Sequence, residues 1–181
     1  MSKLNFTPEQ RFMIALLCDL HRKPDEREFR PENIKLIMSA ITGGHDWAID
    51  WEMGGLFPES PDNYDDVKFV SDVLDMWDFI ELGWSKLQDA EKDEIRAAVP
   101  YLTEPKFIGF DGNNETDYLA IARMLVEEMN RFSTFKGRSL NSHSPKIDRY
   151  RDMLTKWPGI RSTVRMGQIS VEQLIELLSR D

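Results

Sequence analysis

The chain has 181 residues, 41% of them hydrophobic, and 23 basic against 32 acidic side chains give it a net charge of −9. That hydrophobic content excludes disorder by composition, and the length suits one domain that can bury a core without covalent staples. Cys18 is the only cysteine, so no intramolecular disulfide can form, and the acidic whole argues against nucleic acid as the main partner.

The first element is announced by Thr7-Pro8-Glu9-Gln10, with Thr7 as N-cap, Pro8 at the first helical position and Gln10 closing a capping box. Phe12, Ile14, Ala15, Leu16, Leu17 and Leu20 then make a helix that is apolar over more than half its girth. Such helices lie in a core or a subunit interface. A charged loop with Pro24 and Pro31 leads to a second helix, its Ile34, Ile37, Met38 and Ile41 on one face and Gly43-Gly44 at its end. His45-Asp46-Trp47 opens one or two helical turns reaching Met53-Gly54-Gly55, and Pro58, Ser60 and Pro61 mark another loop. A long helix is expected from Pro61 or Asp62 to near Gly83, which should interrupt it. Its inner stripe is Val67, Val70, Leu74, Trp77 and Ile80. A polar helix, Asp89–Ala98, ends at Pro100.

The stretch 107–137 centres the chain. Phe107–Phe110 is a short apolar run that stops at an Asp111-Gly112 turn, and Asn114 is placed to cap a helix. Tyr118, Ile121, Ala122, Leu125, Met129 and Phe132 recur at threes and fours, predicting about five turns with one buried face. After the loop SLNSHSP, Ser144-Pro145 starts a helix with Ile147, Tyr150, Leu154 and Trp157 on one side, which Pro158-Gly159 should stop. Ser170–Gln173 is a final capping box ahead of Leu174, Ile175 and Leu178. Strand patterns are almost absent, Phe107–Phe110 and Ser162–Met166 being too short to found a sheet. The expectation is a compact, bundle-like all-α domain of seven or eight helices with no substantial sheet and no internal repeat.

No signature of catalysis is present: no nucleophile elbow, no Walker loop and no G-x-G-x-x-G. His21, His45 and His143 lack metal-ligand spacing. Asp46 and Asp50 would share a helical face that a hard cation could use, but surface acids beside a Trp-rich turn are the plainer reading, so neither metal nor cofactor is assigned. Asp75 and Asp78 read as a solvated acidic face. The better constellation is basic. Arg123 and Arg131 stand about 80° apart around one helix, Lys136, Arg138, Asn141 and His143 follow in a polar loop, and Arg149 lies one helix on. Converging guanidiniums would suit a phosphate or carboxylate. The favoured alternative is that the arginines clasp acids such as Asp111 or Glu127 and fix the loop.

Charge is also segregated. Residues 46–95 carry 15 acids and 3 bases, and residues 131–166 carry 9 bases and 2 acids. The two segments are expected to pair within one copy, or else to meet across an interface between copies.

FIGFDGNNETDYLAIARMLV, RFSTF, DRYRDMLTKW and, ahead of them, LGWSKL occur in an order that resembles the YfbU family of bacterial proteins, whose function is uncharacterised. Weaker agreement reaches PEQRFMIALL, so the resemblance covers most of the chain. It implies one self-associating α-helical domain over 1–181, with 24–63 as a divergent insert or small lobe. The family offers no catalytic residues to carry over, and Asp111, Arg123 and Arg131 are the main polar positions that match its pattern.

The combined expectation is a non-enzymatic binding or regulatory protein, cytoplasmic and homo-oligomeric, acting on an unidentified protein partner without membrane or cofactor. The alternatives are an enzyme or sensor for a small anionic ligand held by Asp111, Arg123, Arg131, Lys136, Arg138, Asn141 and His143, and a nucleic-acid-binding accessory protein.

Overall fold

The computed structural model describes residues 7–53, 64–100, 102–164 and 169–179. It holds eight α-helices among them: α1 (Pro8–Leu20), α2 (Pro31–Gly43), α3 (Asp46–Met53), α4 (Tyr64–Lys86), α5 (Asp89–Ala98), α6 (Thr116–Arg123), α7 (Ile147–Thr163) and α8 (Val171–Leu178). The all-α fold is thus as the periodicity implies. The chain divides into two compact units, Met1–Pro61 and Asp62–Asp181.

In the N-terminal unit, Thr7 accepts the Gln10 N–H while the Gln10 side chain accepts that of Thr7, so α1 starts at the expected capping box. Its last turn carries a buried acid. Asp19 accepts the backbone N–H groups of Glu28 (2.8 Å) and Phe29 (3.2 Å), tying the charged loop back to the helix. Phe29 and Ile37 are buried at the centre of a small cluster with Phe12, Ala15, Leu16, Leu36 and Ile49 half-buried around them. Gly44, at φ 69°, ends α2 in the left-handed conformation that glycine adopts without strain.

The C-terminal unit holds the large core. α4 supplies Val70, Val73, Leu74, Met76, Trp77, Ile80 and Trp84, and it runs three residues beyond Gly83 rather than stopping there. The reason is packing: a Cβ on Gly83 would lie 2.1 Å from the Ile169 side chain, so the glycine is a close-approach point inside the helix. An aromatic cluster joins α4 to later elements, with Phe107 within 5.1–6.3 Å, ring centre to ring centre, of Trp77, Phe110, Phe135 and Tyr150. Such pairs add about 0.5–1.5 kcal/mol each beyond the area they bury.

Two further boundaries differ from expectation. α6 starts at Thr116, with Glu115 and not Asn114 at the N-cap position and no side-chain cap there, and after Arg123 it widens into a π-turn over Met124–Glu128. The extra residue shifts the register, so Val126 is fully buried while Met129, expected on the inner stripe, is exposed. α7 passes through Pro158-Gly159 to Thr163, because Ile160 beyond the proline is buried in the same core as Trp157. The expected Ser162–Met166 run is helical up to Thr163, and residues 165–168 lie outside the described residues.

Candidate functional site

Phe107–Asp111 and Leu140–Ser142 lie side by side. Phe110 donates to the Leu140 carbonyl at 2.9 Å and Ser142 donates to the Phe110 carbonyl at 3.0 Å, one parallel bridge. The approach is possible because Gly109 sits at φ 89°, where a Cβ would lie 1.7 Å from the Leu140 oxygen. From α7, the buried Tyr150 hydroxyl donates to the Gly109 carbonyl at 2.9 Å, and burial pushes that phenol well above its ordinary range.

Below this crossing lie two buried carboxylates, Asp111 and Glu115. Asp111 accepts from the Asn114 side chain at 2.5 Å and from the Asn113 backbone at 3.1 Å, and these donors hold its carboxyl below the usual range. Glu115 joins the Asp111 end of the crossing to the start of α7. One of its oxygens accepts the Asp111 N–H at 2.8 Å, and the other accepts those of Lys146 (2.6 Å) and Ile147 (2.9 Å), where α7 begins. A carboxylate against a helix N-terminus is favoured by the free N–H groups and by the helix dipole. Asn141 completes the junction by accepting from Gly112 N–H and His143 N–H, both at 3.0 Å.

The basic candidates are distributed along this junction without a shared acceptor. Arg138 donates in bidentate fashion to Glu81 of α4 at 2.8 and 3.1 Å, and also to the Phe107 carbonyl at 2.9 Å, while Glu81 accepts the Phe107 N–H. Lys136 donates to the Asn130 side chain. Arg149 donates to the carbonyls of Leu177, Leu178 and Ser179, covering the C-terminal end of α8. His143 adopts φ 53° with its side chain exposed. The side chains of Arg123 and Arg131 are exposed and make no hydrogen bond or ion pair with another described residue, although the Arg131 backbone N–H donates to the Leu125 carbonyl at 2.8 Å. Two surface hollows of about 460 and 630 Å³ lie along α4, lined in the first case by Asp78, Glu81, Trp84 and Lys92, and none of the seven candidate residues lines either.

The segregated charges meet within one copy at Arg138–Glu81 and at Arg161–Asp75, 3.5 Å apart. No group of three or more His, Cys, Asp or Glu side chains among the described residues is placed to hold a metal ion, and the side chains of Asp46 and Asp50 lie outside that description. No described helix is long and apolar enough to cross a membrane.

The N-terminal unit presents a different kind of surface. Met13, Leu17 and Leu20 of α1 and Ile34, Met38 and Ile41 of α2 are 41–64% exposed, and Ile14 and Trp47 add to them. Each helix thus has two apolar faces, one in the small core and one in water.

A YfbU domain model matches residues 4–177, nearly the whole chain. The chain belongs to the YfbU family. A similar curated protein is the UPF0304 protein MJECS11 of Methanocaldococcus jannaschii, 31% identical over 126 residues, which cover 67% of this chain and 71% of that protein. No solved structure matches. The YfbU match spans both units. Within it, the sequence marked Asp111 and Asn141 but did not single out Glu115 or Glu81. Glu115 bonds Asp111 locally, but its partners Lys146 and Ile147, and Glu81's partners Phe107 and Arg138, lie 26–57 residues away in the chain, beyond any local spacing.

Proposed function

We propose that this YfbU-family chain is a non-enzymatic, cytoplasmic binding protein that works through protein–protein contacts, including contacts between its own copies. The observation that carries this reading is the outward apolar face of α1 and α2. Monomeric soluble proteins rarely leave so many large aliphatic side chains in water on neighbouring helices, and such patches mark interaction sites. Native mass spectrometry on the protein isolated from its own cells tests it. Additional polypeptide bound in stoichiometric amount is the expected result, and bare 21.1 kDa chains would refute it.

A second reading, binding of a small phosphate- or carboxylate-bearing ligand, is favoured by Arg123 and Arg131, whose guanidiniums have no partner among the described residues. It predicts a rise in melting temperature with a phosphorylated metabolite that Arg131→Ala abolishes. A flat response across a broad metabolite panel would count against it.

A further inference from the structure

We infer that the outward faces of α1 and α2 are an isologous interface, occupied by the same faces of a second copy of this chain. The inference rests on the protein-contact reading above and names the partner.

The first argument is the pattern. Met13, Leu17 and Leu20 are spaced by four and then three, and Ile34, Met38 and Ile41 repeat that spacing on α2. This is the d-a-d rhythm of a helix seam that receives another helix by knobs-into-holes packing. A stripe of this kind is self-complementary in chemistry, since every member is a flexible or branched aliphatic side chain.

The second argument is the size of the core it supplements. Among the described residues of the N-terminal unit only Phe29, Ile37 and Ala40 are buried apolar side chains, fewer than the six left outside. Units of about 60 residues bury too little to be more than marginal alone. Further apolar cover is what such a unit lacks. At 41–64% exposure the six side chains leave roughly 650 Å² in water, so pairing two copies would remove about 1,300 Å², the area of a standard specific interface.

The third argument is charge. Residues 46–95 carry 15 acids against 3 bases, so an isologous contact that set this segment against itself would be repulsive. Residues 7–45 carry 6 of each and are neutral. Two copies therefore meet at the α1/α2 face without the electrostatic cost that any contact between acidic segments would carry.

Sedimentation velocity on the purified full chain, across about 1 to 100 μM, tests the inference. The expected result is a mass that is a multiple of 21.1 kDa. Leu17→Glu with Met38→Glu should return the single-chain mass, the dissociation constant rising about 100-fold or more because two buried aliphatic contacts become desolvated charges. The milder pair Leu17→Gln with Met38→Gln should weaken association in the same direction. Met124→Glu, an exposed change in the C-terminal unit, should leave the mass unaltered. Should the helix variants lose their circular dichroism, the wild-type melting temperature decides: a rise with protein concentration upholds the inference and independence from concentration overturns it. A wild-type chain that stays monomeric also overturns it, while a co-isolated partner from cells would leave the wider protein-contact reading standing. An oligomer dissociated by Met124→Glu and not by the helix variants would place the interface elsewhere.

Discussion

Glu115 offers the sharpest test of how the loop crossing is held. Its carboxylate is buried and accepts three backbone N–H groups from two segments. Glu115→Ala leaves all three without their acceptor. Lys146 and Ile147 are half-buried and can recruit water, which sets about 1 kcal/mol for each, whereas the Asp111 N–H is enclosed and costs about 2 kcal/mol, giving roughly 4 kcal/mol in all. Glu115→Gln keeps one carbonyl oxygen for Lys146 and Ile147 but turns an NH₂ group toward the Asp111 N–H, a donor facing a donor, for about 2 kcal/mol. Urea unfolding followed by tryptophan fluorescence suits the measurement, because Trp77, Trp84 and Trp157 are buried in the same core. With a slope of about 2 kcal/mol per molar, the midpoint should fall by roughly 1 M for Gln and 2 M for Ala. Equal losses for the two variants would refute the assigned division between the oxygens. Losses below about 0.5 kcal/mol for both would refute the claim that Glu115 joins the segments.

The crossing also makes a prediction about glycine. Gly109 and Gly137 both have positive φ, but an added Cβ meets the Leu140 backbone in one case and open space in the other. Gly109→Ala should cost about 3 kcal/mol or more and Gly137→Ala only about 1 kcal/mol, and equal melting temperatures for the two would sink the steric argument. Acid stability should depend on Asp111. Its carboxyl is depressed in the folded protein, so its contribution is complete above the unfolded value of about 4 and drains away as pH falls through the lower folded value. Asp111→Asn should therefore flatten the fall of stability with pH below about 4. An unchanged slope, measured by urea midpoints at several pH values, would show that Asp111 is not among the groups responsible.

Much of the fold was legible because it depends on neighbours in sequence. Thr7 with Gln10 and Ser170 with Gln173 are capping boxes closed within four residues, and α1 and α8 begin where those boxes place them. Proline and glycine were misread where packing overrode local preference. Pro158 lacks an N–H yet stays inside α7, and Gly83 stays inside α4 because Ile169 occupies the space a side chain would need. The π-turn after Arg123 escaped notice for a different reason: one inserted residue changes the register without altering the composition of the stripe. The basic candidates lie close together in sequence, Lys136 engages Asn130 nearby, and the engagement of Arg138 is set by distant chain. Arg138 is held by Glu81, 57 residues earlier, and nothing near position 138 announces that partner.

The bridge between Phe110 and Asn141 has a consequence for how the C-terminal unit folds. Residues 111–140 form a closed excursion, and bringing the ends of about 30 residues together costs roughly 3 kcal/mol of length-dependent chain entropy. The first turn of α7 receives its acceptor, Glu115, from across that excursion, so this contact is non-local in the chain. Non-local closures of this kind slow folding relative to contacts between sequence neighbours. Shortening the exposed turn around Gly137 should speed folding while leaving unfolding nearly as slow as before.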